Sequence, residues 1–361
     1  VNRVQGRRVL IMAGGTGGHV IPALSLAKGL AEQGVEVQWL GSPRGIENRL
    51  VPQVNITLHC IDIAGLRGNG ASGWLMAPIR LARAIWQARQ VIKRVDPQLV
   101  VGLGGFASGP GGLAAWMMRR PLVIHEQNAV AGLTNRALSR LARRVYAAFP
   151  QAFGERAEVV GNPVRDEIAV LGETPRRAEQ MQERRLRLLV VGGSLGAKAL
   201  NDTLPLALAR LDVALRPEVR HQAGRDKEQV TLALYQAQGV EAEVSAFIDD
   251  MASAFDWADL VVCRAGALTV AELAAAAKPS LLVPFPHAVD DHQTANAQAL
   301  VEAGAARLMP QPTMTDETLA NCLIEILNPD TLAAMASRAR ADAQLDTVAR
   351  LVAGCMETGF E

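Results

Sequence analysis

Gly14-Gly15-Thr16-Gly17-Gly18-His19 places four glycines, a hydroxyl and a titratable ring between the apolar run RVLIMA (8–13) and a helical pattern. A strand that enters a helix through glycines leaves backbone N–H groups open and lets a ligand approach the main chain. The positive end of the helix dipole favours an anion there. GGFASGPGG (104–112) and GGSLGA (192–197) repeat the device. A single such turn is as readily a tight connection with no ligand. Three in succession weigh toward binding. None has P-loop spacing, and none gives a clean GxGxxG with an acidic residue about 20 positions on. His19 suits a general base, because an unperturbed imidazole titrates near ~6.5. It suits a capping role equally.

Other polar side chains gather where apolar runs end. His125, Glu126, Gln127 and Asn128 follow PLVI (121–124). Strand ends of α/β sheets are where ligands bind, although loop-capping hydrogen bonds account for such residues too. CRAGALTVAELAAAA (263–277) is a strand end, a turn and a helix carrying Glu272. A carboxylate there accepts from the vicinal hydroxyls of a ribose, or simply complements the helix dipole. Asp290, Asp291, His292 and Gln293 lie near a further strand end. His287 and His292 are five apart, off the i, i+4 face, and no DxD occurs, so no metal or other cofactor is expected.

The elements that must carry these residues alternate. Apolar runs at 8–13, 35–41, 97–104, 121–128 and 143–149 read as buried strands, and 20–34 and 74–95 read as helices. Pro22 is expected in the first turn of its helix and Gly34 as its stop. After the polar stretch 172–185 the pattern restarts at LRLLVVGGSLGAKALN (186–201). With 361 residues, two domains are expected. They are two Rossmann-like, doubly wound parallel sheets, 1–163 and 164–340, with a helical tail, 341–361, that packs back on the first.

Charge divides the same way. Residues 1–163 carry 19 Lys/Arg against 8 Asp/Glu, and the remainder 18 against 28. The first half therefore faces something anionic. Aromatics are only 4% of the chain, which argues against nucleic acid and for a membrane or phosphates. In the helix 74–95, Trp74, Leu75, Ile79, Leu81, Ile85 and Trp86 form the apolar side, and Arg80, Arg83, Arg89, Lys93 and Arg94 supply charge without an acid. It is an ordinary helix covering the sheet, or an interfacial membrane contact. No apolar run approaches the ~20 residues of a membrane span, and the opening stretch reads as a strand, not a signal peptide. The four scattered cysteines fit a reducing compartment without disulfides or zinc.

GGTGGH, GLRG, GGFASGPGG, HEQN, GNPVR, GGSLGA and CRAGALTVAE, in that order, resemble the MurG family of bacterial glycosyltransferases over nearly the whole chain. The resemblance implies a GT-B fold, its two domains facing across a cleft. It implies transfer of N-acetylglucosamine from UDP-GlcNAc to the C4 hydroxyl of the lipid-linked muramoyl-pentapeptide, lipid I to lipid II, in peptidoglycan synthesis. The C-terminal domain is then the donor domain. The N-terminal domain holds the acceptor and rests on the anionic cytoplasmic face of the inner membrane, with other cell-wall synthesis proteins as partners.

By the same resemblance, Thr16, Gly17 and Gly18 lie on the donor sugar and diphosphate side, and Asn128 contacts the sugar. Arg165 and Ser194 serve the phosphates, and Ile248 presents backbone to uracil. Ala267, Leu268, Thr269, Val270, Ala271 and Glu272 wrap the diphosphate and ribose, with Gln293 nearby. His19 is the first candidate base and Glu126 the second. The chain departs from relatives at Leu195, often Gln, at Asn69, often Lys, and in one extra residue around 287–297. A UDP-GlcNAc 2-epimerase, a Rossmann oxidoreductase and a non-catalytic nucleotide-sugar sensor are the rival readings.

Overall fold

The structure, a computed structural model, describes residues 6–63, 76–193, 196–286, 288 and 291–360. The chain divides into two compact units, Val1–Pro163 with Leu345–Glu361, and Val164–Gln344. In the first unit β1 (Arg8–Ala13), β2 (Glu36–Gly41), β3 (Thr57–Cys60), β4 (Leu99–Gly104), β5 (Leu122–Glu126), β6 (Arg144–Ala147) and β7 (Glu158–Val159) form one parallel sheet. Its order is β3-β2-β1-β4-β5-β6-β7, so the direction of winding reverses between β1 and β4. Every residue of LVVGLG in β4 is buried, as expected of a central strand covered on both faces. The covering helices are α1 (Gly17–Glu32), α2 (Glu47–Gln53), α3 (Ala77–Val95), α4 (Ser108–Met117) and α5 (Leu133–Leu138).

Helix α1 begins three residues earlier than its apolar periodicity indicates, so His19 stands inside its first turn. Pro22 is correspondingly deeper, in the second turn, where it cannot donate a hydrogen bond to Gly18 O. Gly34, at φ +73°, stops the helix as expected. The edge strands β3 and β7 and helix α2 escape the apolar pattern because they are short and partly polar.

The second unit repeats the plan. β8 (Arg187–Val191), β9 (Glu218–Gln222), β10 (Glu243–Ser245), β11 (Leu260–Cys263), β12 (Ser280–Leu282) and β13 (Ala306–Leu308) form a parallel sheet ordered β10-β9-β8-β11-β12-β13. The reversal falls between β8 and β11. Around it lie α6 (Asp166–Ala169), α7 (Ala178–Gln182), α8 (Lys198–Ala209), α9 (Glu228–Ala237), α10 (Met251–Trp257), α11 (Ala267–Ala275), α12 (His292–Glu302), α13 (Asp316–Ile326) and α14 (Pro329–Ala341). Each sheet has an apolar cluster on both faces.

Two helices close the chain, with a break between them. α14 belongs to the second unit, and α15 (Thr347–Phe360) belongs to the first. The break holds Asp342 and Asp346, short side chains that compete with helical backbone bonding. Leu351, Val352 and Cys355 of α15 join the core beneath α1. Close packing of α15 requires glycine on each side: a Cβ on Gly29 of α1 would stand 2.9 Å from Val352, and one on Gly354 would collide with the Tyr146 hydroxyl of β6.

Candidate functional site

In the first unit two glycine turns leave the sheet where its winding reverses, one after β1 and one after β4. They pack directly on each other. Gly104 and Gly105 have φ of +106° and +84°, and a Cβ on Gly105 would lie 2.3 Å from Gly14 O. A Cβ on Gly104 would lie 2.4 Å from the His19 ring. Glycine is therefore demanded here by backbone conformation and by space. The single hydroxyl proton of Ser108 Oγ is shared between Gly104 O at 2.7 Å and Met12 O at 3.0 Å, tying the two strand ends together. The half-buried His19 ring has Nδ1 3.1 Å from Thr16 Oγ1.

A residue that sequence reasoning missed sits beneath this turn. Glu47 is fully buried. Its Oε2 accepts from Gly15 N–H at 2.9 Å, and Oε1 accepts from Ser42 N–H at 3.0 Å and Ser42 Oγ at 2.8 Å. Cβ atoms on Gly14, Gly41 or Gly45 would collide with this side chain. One N–H expected to face a ligand anion thus already serves a carboxylate of the protein. The available signal was an acid amid glycines at a strand end, GSPRGIE.

The polar quartet after β5 is mostly spent internally. His125 is wholly buried, with Nε2 2.8 Å from Gly161 O and Nδ1 3.1 Å from Gln127 Nε2. Burial pushes its pKa down to about 4, so the ring is neutral. Glu126, buried as well, accepts from Asn128 N–H at 3.0 Å, Asn128 Nδ2 at 3.2 Å, Asn135 Nδ2 at 2.9 Å and Gly132 N–H at 3.3 Å. Four donors fill its acceptor capacity. Glu126, the second candidate base, thus also pins the 128–135 loop. Asn128 is half-buried at the loop's start.

In the second unit the glycine turn after β8 and the turn after β11 flank the corresponding reversal. Gly193 and Gly196 have φ of +83° and +69°, and a Cβ on Gly196 would meet Ala223 O at 2.1 Å. Ser194 and Leu195 lie outside the described residues, as do Asn69, His287 and Asp290. Asn201 Nδ2 donates to Ala223 O at 2.9 Å. His221 lies between Asn201 Oδ1 (3.1 Å) and the Tyr235 hydroxyl (2.9 Å), and burial pushes its pKa down to about 3.

After β11, α11 starts at Ala267 behind Gly266, and Val270 N–H is bonded back to Gly266 O at 2.9 Å. Ala267, Leu268 and Val270 are buried, so their side chains pack, and what this turn offers a ligand is backbone N–H. Thr269 and Ala271 are half-buried. Glu272 is buried and its Oε1 accepts from Arg165 Nε at 2.9 Å. Burial raises its pKa, and the Arg165 guanidinium opposes that rise. The two residues assigned separately to ribose and phosphates are therefore one ion pair. Ile248 is half-buried against the core. Gln293 Oε1 accepts from Phe285 N–H at 2.8 Å, which commits its carbonyl to the loop after β12.

Helix α3 divides its apolar residues between two sides. Its buried face is Ala84, Ala88, Val91, Ile92 and Val95, whereas Ile79, Leu81 and Trp86 are exposed. Trp74 and Leu75 lie outside the described residues. Helix α4, packed against α3, exposes Trp116 and Met117 as well. Among the described residues no helix is long and apolar enough to cross a membrane, and no three His, Cys, Asp or Glu side chains gather as metal ligands.

Two family models match the chain: the glycosyltransferase family 28 N-terminal domain over residues 9–147 and its C-terminal domain over 187–351. A relative from Chromohalobacter salexigens is 74% identical over 97% of this chain and 96% of its own length. It is named UDP-N-acetylglucosamine–N-acetylmuramyl-(pentapeptide) pyrophosphoryl-undecaprenol N-acetylglucosamine transferase. The crystal structure of Acinetobacter baumannii MurG is similar with TM-score 0.82 and 44% identity, covering 97% of this chain and 99% of that one. A UDP-N-acetylglucosamine 2-epimerase structure shares only the fold, at TM-score 0.66 and 12% identity over 98% and 96% of the two chains.

Proposed function

The chain belongs to glycosyltransferase family 28, and on that footing we propose that it transfers N-acetylglucosamine from UDP-GlcNAc to undecaprenyl-diphospho-muramoyl-pentapeptide. The observation that carries the reading is the 74% identity, over nearly the full length of both chains, to a relative named for that activity. The 2-epimerase reading has only a 12% identical fold neighbour in its favour.

The reaction is a single inverting displacement. The C4 hydroxyl oxygen of the muramoyl sugar forms a bond to the anomeric carbon, the bond from that carbon to UDP breaks, and UDP keeps the electron pair. His19 takes the hydroxyl proton on Nε2. For this, Nδ1 carries the ring's own proton and donates it to Thr16 Oγ1, 3.1 Å away, which fixes tautomer and ring orientation. Gly18 O, deprived of its helical donor by Pro22, is an acceptor for a sugar hydroxyl. Thr16, Gly17 and Asn128 serve the sugar beside it.

In the second unit the uracil ring meets the backbone at Ile248. The diphosphate lies on the glycine turn that contains Ser194 and on the first turn of α11, from Ala267 to Ala271. Backbone N–H groups and the helix dipole stabilise the charge that gathers on departing UDP. Glu272, held by Arg165 through Oε1, accepts from the ribose hydroxyls through Oε2. Gln293 shapes the neighbouring loop. No step requires a metal.

The first unit is the acceptor unit and lies against the cytoplasmic face of the inner membrane. Exposed Ile79, Leu81, Trp86 and Trp116, with Arg80, Arg83 and Arg89 on the same helix as the first three, have the chemistry of an interfacial contact with anionic lipid. The test of the whole reading is UDP release from UDP-GlcNAc, with and without a lipid I analogue, in EDTA. Release that needs the acceptor and survives EDTA supports it. Conversion of the donor alone to UDP-ManNAc overturns it in favour of an epimerase.

A further inference from the structure

Gln222 ends β9 with its side chain buried. Its strand lies between β8 and β10, and the side-chain amide reaches across the ends of both. Oε1 accepts from Gly193 N–H at 2.9 Å, while Nε2 donates to Gly193 O at 3.0 Å and to Ala246 O at 2.9 Å. The main chain adds a bond from Gly192 N–H to Gln222 O at 3.1 Å. On the other side Ala223 N–H bonds Ser245 O at 2.9 Å, and past these last main-chain bonds one side-chain amide extends the pairing on both sides. Gly193 needs this support because its φ of +83° leaves it outside strand geometry.

The two segments so joined are the ones assigned above to different parts of one ligand. Gly193 opens the turn proposed for the diphosphate, and Ala246 stands two residues before the backbone proposed for uracil. In a nucleoside diphosphate the base and the phosphates are held at a limited range of separations by the ribose between them. We propose that Gln222 is a positioning residue of the donor site. It sets the spacing between the diphosphate turn and the uracil-binding backbone, and so governs affinity for the intact nucleotide and not the transfer step. This rests on the donor assignment of the second unit.

The full chain is tested by calorimetry with UDP, uridine and pyrophosphate, and by steady-state kinetics. Gln222→Ala should raise KM for UDP-GlcNAc and Kd for UDP at least about tenfold, the effect of orphaning a buried hydrogen-bonding group. kcat and the acceptor KM should stay near those of the unaltered chain. Uridine and pyrophosphate alone should lose less affinity than UDP, because what is lost is the coupling between their sites. Gln222→Glu sets a carboxylate against the carbonyl oxygens of Gly193 and Ala246. Its donor KM should recover on acidification, when the protonated acid can again donate to one of them, while that of Gln222→Ala should not.

If Gln222→Ala does not fold, the pH response of Gln222→Glu decides. Folded variants with unaltered UDP affinity, or with kcat reduced and donor KM unchanged, would overturn the inference alone. Failure of the unaltered chain to bind UDP would overturn the donor assignment and this inference with it.

Discussion

Arg165 Nε lies 2.9 Å from Glu272 Oε1, joining the entry to the second unit to the first helix after β11. The carboxylate is nearly inaccessible, while the guanidinium keeps a quarter of its side chain exposed. Removing the arginine leaves an unpaired buried charge. Arg165→Ala should cost about 2–3 kcal/mol, below the figure for a fully buried pair because solvent screens the exposed partner. Denaturant unfolding measures this, and a double-mutant cycle with Glu272→Gln should recover part of the loss.

The sign of the pH dependence follows from the same pair. A raised carboxyl pKa means that the folded state binds the proton more tightly than the unfolded state. The associated stability is full below the ordinary carboxylate value and is lost as pH rises through the folded value. Without Arg165 the folded pKa moves up further. The Arg165→Ala penalty should therefore be larger at pH ~8 than at pH ~5. Equal penalties at both would mean that the carboxylate is not the group left unpaired.

His19→Ala should lower kcat by about 10²–10⁴ and leave UDP-GlcNAc affinity intact, as expected for a lost general base. Thr16→Val should reduce kcat less, because it removes the partner of Nδ1 and leaves the ring, and it should raise the UDP-GlcNAc KM as well, because Thr16 also serves the donor sugar. Turnover unchanged in His19→Ala removes the ring from the mechanism.

Glu126→Ala should act on stability and on order. Four donors lose their acceptor together. Hydrogen exchange in residues 128–135 should quicken and the melting temperature should fall. A variant with the stability of the parent but no turnover would favour Glu126 as the base.

Buried neutral His125 and His221 predict acid sensitivity. Their folded pKa values, about 4 and about 3, lie below the ordinary value of 6.5. The stability they confer is present above pH ~6.5 and is lost as pH falls toward those values. A His125→Asn variant should show a flatter dependence of unfolding free energy between pH ~7 and pH ~5. The same slope in parent and variant would contradict this.

Ile79→Glu and Trp86→Ala should weaken binding to anionic phospholipid vesicles while leaving the fold intact, since both side chains are exposed. Binding should also weaken with added salt. Vesicle binding unaffected by either change would move the membrane contact elsewhere.

What the sequence by itself determined was local. Strand runs such as RVLIMA and LVVGLG announce themselves because burial on both faces demands continuous apolar residues. The glycine turns follow from the backbone conformation that only glycine adopts without strain. Gly34 stops its helix for the same reason. Motif order along the chain carried the family resemblance.

What only the tertiary structure decided was pairing between distant positions. Arg165 and Glu272 are 107 residues apart and read as two separate ligand contacts until folding brings them within 2.9 Å. Glu47 is 32 residues from Gly15, and its glycine-rich neighbours mark a tight strand end without saying which turn the carboxylate would occupy. Glu126 looked like a free carboxylate until its four donors were in place. The exposed side of α3 was likewise undecided, because periodicity gives the apolar positions of a helix but not which of them the sheet covers. Hydrogen bonds and ion pairs satisfy whatever groups the packing brings near, and packing is a property of the whole chain.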